Sequence, residues 1–194
     1  VTGAARAAAL VSAAVAALLA GCGGGIDNPE GAAGQKLSFA YFQRCIEPIL
    51  QTPLQINQNG VISTNTCAGG GCHDSTTGTG GALRVVPNPA AINVLDGSNT
   101  PDVIHASDMY KNFYSAQASV TVGAPTQSRL ITKPLVLNVL HGGGLIFANR
   151  QDPNVKLIEY WITHPAPTGQ DEFSTTTYNM FTPPDPMTGT CNTQ

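Results

Sequence analysis

Cys67, Cys72 and His73 stand in the stretch C-A-G-G-G-C-H, and this stretch constrains the chain more than any other. Two thiols lie five positions apart, an imidazole follows the second directly, and Gly69, Gly70 and Gly71 fill most of the interval. Glycine tolerates backbone conformations closed to other residues, so the segment can close as a site, a disulfide loop or a plain turn.

The spacing has a chemical precedent. A c-type haem is attached when two cysteine thiols add to its two vinyl groups and the next residue, histidine, supplies a nitrogen to iron, with the usual pattern C-x-x-C-H. Here four residues separate the cysteines. The sulfurs must still reach two vinyl groups at a fixed separation, so the two additional residues must loop outward, which the glycines permit. Three other readings of the same residues stay open. Cys67 and Cys72 could form a disulfide, they could join His73 and a fourth ligand around zinc, or the thiols could be free on a glycine turn.

The N-terminal residues bear on the compartment. Arg6 precedes a run from Ala7 to Ala20 of Ala, Leu and Val broken only by Ser12, the pattern of a secretory signal. As a helix the run would reach about 21 Å, short of the roughly 30 Å hydrocarbon core. It ends in Leu19-Ala20-Gly21-Cys22, which resembles a bacterial lipobox, so residues 1–21 are expected to be a lipoprotein signal peptide and Cys22 its acylated site. An ordinary small-residue cleavage site is the other reading. Residues 22–36 read as a flexible tether, and Gly23, where an Asp would favour inner-membrane retention, favours the outer membrane of a Gram-negative bacterium. The expectation is an exported periplasmic or cell-surface lipoprotein held at the membrane through Cys22.

Export gives the remaining cysteines an oxidising environment, where each needs a partner or a chemical role. Cys45 and Cys191 are the pair left over, and a disulfide between them is expected; a buried free thiol at Cys45 is the alternative. Charged residues make up only 11% of the chain and Lys plus Arg number 9. So sparse a basic complement argues against a nucleic-acid partner. Asp74 and the Asp171-Glu172 pair read as isolated surface charges.

Helical periodicity appears in three places. Phe42, Cys45, Ile46 and Ile49 recur at helical spacing between Leu37 and Leu50, with Ser38 as a cap. Ser107 opens a second helix reaching about Gln117, with Tyr110, Phe113 and Tyr114 on its apolar face. The strongest signal is Asp152-Pro153, a cap and first-turn proline ahead of Val155, Ile158, Trp161 and Ile162. Between them, Gln51 to Thr66 is polar with a turn at Asn59-Gly60, Ser119 to Val122 could be extended, and Ser128 to Leu140 should give a short helical turn. The fold class expected is mostly α, with long irregular loops and little or no sheet. One domain is expected over 37–165, and residues 166–194 as a tail packed on it and pinned by Cys191.

The order of these features resembles the monohaem cytochrome c domain of planctomycete-type proteins. That family runs P-I-L, C-x-x-C-H, G-G-L-R-L, S-x-L and a last L-x-x-W-I helix. The matching residues here are Pro48-Ile49-Leu50, the Cys67/Cys72/His73 motif, Gly80 to Val85, Ser128-Arg129-Leu130 and Tyr160-Trp161-Ile162, within Phe39 to His164. The resemblance implies a helical cytochrome c fold whose first and last helices cross near one covalent haem c, with thioethers at Cys67 and Cys72 and His73 as the proximal iron ligand. The family's distal ligand is a Met in a Met-Pro-Pro segment before the last helix; the matching place here reads Leu140-His141-Gly142-Gly143-Gly144. His141 is therefore the expected distal iron ligand, since adjacent glycines let backbone approach a flat macrocycle. His105, Met109, Met180 and Met187 are the competing candidates, and His164 is expected to be exposed.

Filling both axial positions points to electron transfer with redox partner proteins rather than to an enzyme. The competing expectation is a haem-free, disulfide-stabilised outer-membrane lipoprotein acting as a structural or interaction module. His141 to Gly144 also matches the H-G-G-G oxyanion segment of esterases, but no G-x-S-x-G elbow accompanies it.

Overall fold

A proline inside the first helix decides how that helix is built. The computed structural model describes residues 34–58 and 60–193. Its first element, α1 (Phe39–Tyr41), is capped by Ser38, whose Oγ accepts from the Tyr41 N–H at 3.1 Å. A π-helical turn (Phe42–Ile46) follows, then α2 (Glu47–Gln51). Pro48 has no N–H for the Arg44 carbonyl, and its ring would crowd that carbonyl in a regular α-turn. The wider turn, in which the Glu47 N–H reaches the Phe42 carbonyl, accommodates it.

The polar stretch after this helix forms a hairpin. β1 (Leu54–Gln58) pairs antiparallel with β2 (Val61–Asn65), in register from Leu54 opposite Asn65 to Gln58 opposite Val61. Period-two alternation buries Ile56, while Val61 and Ile62 on β2 face solvent. The turn expected at Asn59-Gly60 includes Asn59, which lies outside the described residues; the strands on either side were not anticipated, because β2 has no buried face to write a pattern. This hairpin is the sheet of the described residues; helix and irregular loops make up most of the rest.

The remaining helices are α3 (Pro101–Ala106), α4 (Asp108–Gln117), α5 (Arg129–Thr132) and α6 (Pro153–Thr163). Their caps follow local rules. Thr100, Ser107 and Asp152 accept from backbone N–H groups of the first turn, and Pro101 and Pro153 sit where a missing N–H costs nothing. α3 was not expected. The buried face of α4 is Met109, Asn112, Phe113 and Ala116. Tyr114, expected on that face, is 64% exposed, because the stripe at 109, 112, 113 and 116 leaves it on the opposite side. α6 buries Val155, Ile158, Trp161 and Ile162, the face its sequence predicts.

An aromatic cluster ties α1, the π-turn, α4 and α6 together. The Phe42 ring lies 5.4 Å from Trp161 and 5.5 Å from Phe113, and Phe39 meets Phe113 edge-on at 5.4 Å. The Trp161 indole N–H, fully buried, donates to the Ser38 carbonyl at 3.0 Å, so the ring gains burial without leaving a polar atom orphaned.

Residues from 34 onward form one compact unit, tail included. The Phe39 N–H donates to the Glu172 carbonyl, the Tyr41 hydroxyl donates to the Gly189 carbonyl, and Cys191 is disulfide-bonded to Cys45 with Cα atoms 6.2 Å apart. The signal segment, Cys22 and the tether up to residue 33 lie outside the described residues. Among the described residues no helix is long and apolar enough to cross a membrane.

Candidate functional site

Cys67, Cys72, His73 and His141 line one cavity of about 450 Å³, a size typical of small-molecule and cofactor sites. Four elements wall it. α2 contributes Ile49 and Leu50, β1 contributes Leu54 and Ile56, α5 contributes Leu130 and α6 contributes Ile158.

The cysteine loop accommodates its length in a specific way. The His73 N–H donates to the Cys67 carbonyl at 2.9 Å, across six residues. In a C-x-x-C-H spacing the same two residues are four apart, the interval of an α-helical hydrogen bond. The link that a regular helical turn would make is thus closed around two extra residues. Gly71 carries the reversal at φ +80°, a conformation that favours glycine. The loop is held at its base by the Ala68 N–H on the Leu50 carbonyl, 3.0 Å.

Asn65, at the end of β2, braces the loop and was not singled out from sequence. Its side-chain amide donates to the Gly70 carbonyl at 3.2 Å and lies 3.4 Å from the Cys72 sulfur, while its Oδ1 accepts from the Thr66 N–H at 2.9 Å. A Cβ on Gly69 would overlap the Asn65 amide, so the glycine lets that amide lie against the loop backbone. No local signal marks Asn65, since its role exists only once the hairpin is folded.

The segment from Gly80 to Val85 returns to the loop and orients His73. The Gly80 N–H donates to the Cys72 carbonyl and the Val85 N–H to the His73 carbonyl, both at 2.7 Å. The His73 Nδ1 lies 3.1 Å from the Leu83 carbonyl. A Cβ on Gly80 would strike the His73 ring, so glycine here lets the backbone lie against the imidazole. Burial pushes the His73 pKa below its ordinary value, and the nearby His141, Lys133 and Arg84 act in the same direction. The neutral ring that results carries its proton on Nδ1, toward the carbonyl, and leaves the Nε2 lone pair available to a metal.

His141 faces His73 across the cavity. The two rings are 14° from parallel with centres 6.2 Å apart. The His141 Nδ1 lies 2.8 Å from the Gly144 carbonyl, so this ring too has Nδ1 engaged by backbone and Nε2 left for a ligand. The 6.2 Å separation of the ring centres leaves room for one metal ion between the rings, which His73 and His141 would hold.

The competing distal candidates lie elsewhere. None of His105, Met109, Met180 and Met187 lines the cavity. His105 packs on Tyr110, with ring centres 4.4 Å apart, beside Glu172 at 3.6 Å; Met109 is buried in the core and Met187 is 71% exposed. His164 is exposed and stacks on Tyr160, as expected for a residue beyond the last helix.

Both thiols of the motif are free, with no bond between Cys67 and Cys72. Burial, with the neighbouring Cys72, pushes the Cys67 thiol up to about 11, and burial raises Cys72 as well, so both are thiols rather than thiolates at neutral pH. Among the described residues no three His, Cys, Asp or Glu side chains converge as a protein-only metal site. The residues present would fit a metal carried in a planar macrocycle: two facing imidazoles, two free thiols, an apolar chamber and glycines where flat surfaces must approach.

No family model matches the chain, and no curated protein or solved structure matches it.

Proposed function

We propose that this protein is a c-type cytochrome: an exported, membrane-tethered carrier of one covalent haem that passes electrons between redox partner proteins. The observation that carries the reading is the pair of imidazoles, His73 and His141, parallel at 6.2 Å across a cavity that also holds two free thiols.

Each residue then has a role. Cys67 and Cys72 would each attach a vinyl group by adding S–H across its double bond, so nothing leaves and reduced thiols are what the attachment needs; both are free here. His73 and His141 would hold the iron, with the Leu83 and Gly144 carbonyls at Nδ1 orienting the rings. When bound, haem supplies a one-electron couple. Two imidazoles favour the oxidised iron relative to a His/Met pair, which places the potential low. With both imidazoles engaged, the site would offer a substrate no place at the metal, which favours electron transfer over oxygen chemistry. The cytochrome c fold is part of the proposal, supported by the close packing of the first helix on the last through Phe42 and Trp161.

Export is supported by the Cys45–Cys191 disulfide, a bond at home in oxidising compartments. The haem-free module with two disulfides is the less favoured reading, because Cys67 and Cys72 stand as free thiols on the cavity wall.

Intact mass of the mature protein, expressed with a haem-maturation system, tests the reading. Covalent haem adds roughly 600 Da over the apoprotein, and the band stains for haem peroxidase activity on a denaturing gel. A colourless protein lighter by a few daltons, with two disulfides, overturns it.

A further inference from the structure

The two histidines border two spaces whose linings differ. The main chamber is lined by Cys67 and Cys72. A recess of about 70 Å³ opens beside the same two histidines, and there Ser119, Arg129 and Lys133 line the wall and neither cysteine does. Lys133 borders both spaces. No Asp or Glu lines either one, and among the described residues neither Arg129 nor Lys133 has a carboxylate within ion-pair distance. Two cationic residues therefore line a recess to which the chain brings no carboxylate, in a protein whose net charge is −3.

Haem has the same asymmetry. Its two vinyl groups lie toward one edge of the ring, and its two propionate carboxylates project from the opposite edge. Thioethers to Cys67 and Cys72 would fix the first edge in the main chamber and so turn the carboxylates away from the cysteines. We propose that Lys133 and Arg129 are the counter-ions of the haem carboxylates and anchor the polar edge of the ring at this recess. The assignment rests on the reading of the site as a haem c site. Charge-assisted hydrogen bonds from an ammonium and a guanidinium would hold carboxylates there. They would also offset negative charge close to the iron, so their loss stabilises the oxidised state and lowers the potential.

The test is the midpoint potential of the haem-loaded protein, measured by spectroelectrochemistry at pH 7. Lys133→Gln with Arg129→Gln is expected to shift the reduction equilibrium at least tenfold toward the oxidised form, a fall of about 59 mV for one electron. Arg129 is exposed, so Arg129→Gln alone spares the fold and should give roughly a threefold shift in the same direction. Lys133→Arg, which keeps the charge, should restore the wild-type potential. Arg44→Gln is the control, since Arg44 is equally exposed and lines neither space. Shifts in the Lys133 and Arg129 variants no larger than in Arg44→Gln overturn the assignment while leaving the haem reading intact. A wild-type protein whose mass shows no haem overturns both.

Discussion

The imidazoles of His73 and His141, far apart in sequence, stand 14° from parallel with centres 6.2 Å apart, each with Nδ1 against a backbone carbonyl. A carbonyl acceptor at Nδ1 orients each ring, as backbone acceptors ordinarily do for histidine.

Replacing one ring should separate their roles. In haem-loaded protein, His141→Ala leaves both thioethers in place but opens one axial position, so the absorption spectrum should change from low spin to high spin. Added imidazole should restore the low-spin bands. An unchanged low-spin spectrum would remove His141 from the iron.

Gly80 should be the most sensitive glycine of the return segment. A Cβ there strikes the His73 ring and lies 2.7 Å from the Cys72 carbonyl, so Gly80→Ala must displace the motif. The expected cost is about 1–3 kcal/mol, typical of overpacking, read from urea unfolding. Gly97→Ala, where a Cβ meets open space, should fall within about 0.5 kcal/mol of wild type.

The length of the motif can be tested directly. The His73 N–H already bonds the Cys67 carbonyl across the extra residues, so deleting Gly70 and Gly71 leaves C-A-G-C-H with that link at the α-helical interval. Haem attachment, measured by mass, should match or exceed wild type. Loss of attachment would mean that the bulge itself is needed.

Glu47 makes stability depend on pH. It is buried, its Oε1 accepts from Gln51 at 2.6 Å and Asn112 at 2.9 Å, and its Oε2 is buried without a partner. Burial raises its pKa to about 7 from 4.5, against the lowering effect of the two amides. Above the unfolded pKa the unfolded chain releases this proton while the folded protein keeps it, so stability falls as pH rises through about 4.5 to 7 and then levels off. The Glu47 contribution should amount to about 3 kcal/mol. Urea unfolding of wild type minus Glu47→Gln between pH 4 and 8 should trace that fall, and a flat difference would contradict it.

Removing the disulfide should be costly. Cys45 and Cys191 are 146 residues apart, so the bond closes nearly the whole described chain. Cys45→Ser with Cys191→Ser should lose about 5 kcal/mol in the loop-entropy model, measured as the urea midpoint against oxidised wild type.

Much of the local structure was legible in the chain. Ser38, Ser107 and Asp152 cap the helices they were expected to start, and α6 buries the predicted face. These features depend on neighbours within a few residues, where hydrogen-bond geometry and periodicity act directly. Cys67, Cys72 and His73, the contiguous part of the candidate site, were legible for the same reason, and the structure places all three on one cavity. The hairpin strands, α3 and the outward turn of Tyr114 were not, since short elements and exposed faces write little period into a sequence.

Sequence alone therefore determined which residues could carry chemistry and where the capped helices begin. Only the tertiary structure decided that His141 rather than His105 or a methionine faces His73, that Asn65 and Gly80 brace the motif, and that Arg129 and Lys133 share a recess without a carboxylate. Those relationships join loops distant in sequence. Their positions follow from how Phe42, Phe113 and Trp161 pack the helices together, which no local pattern encodes.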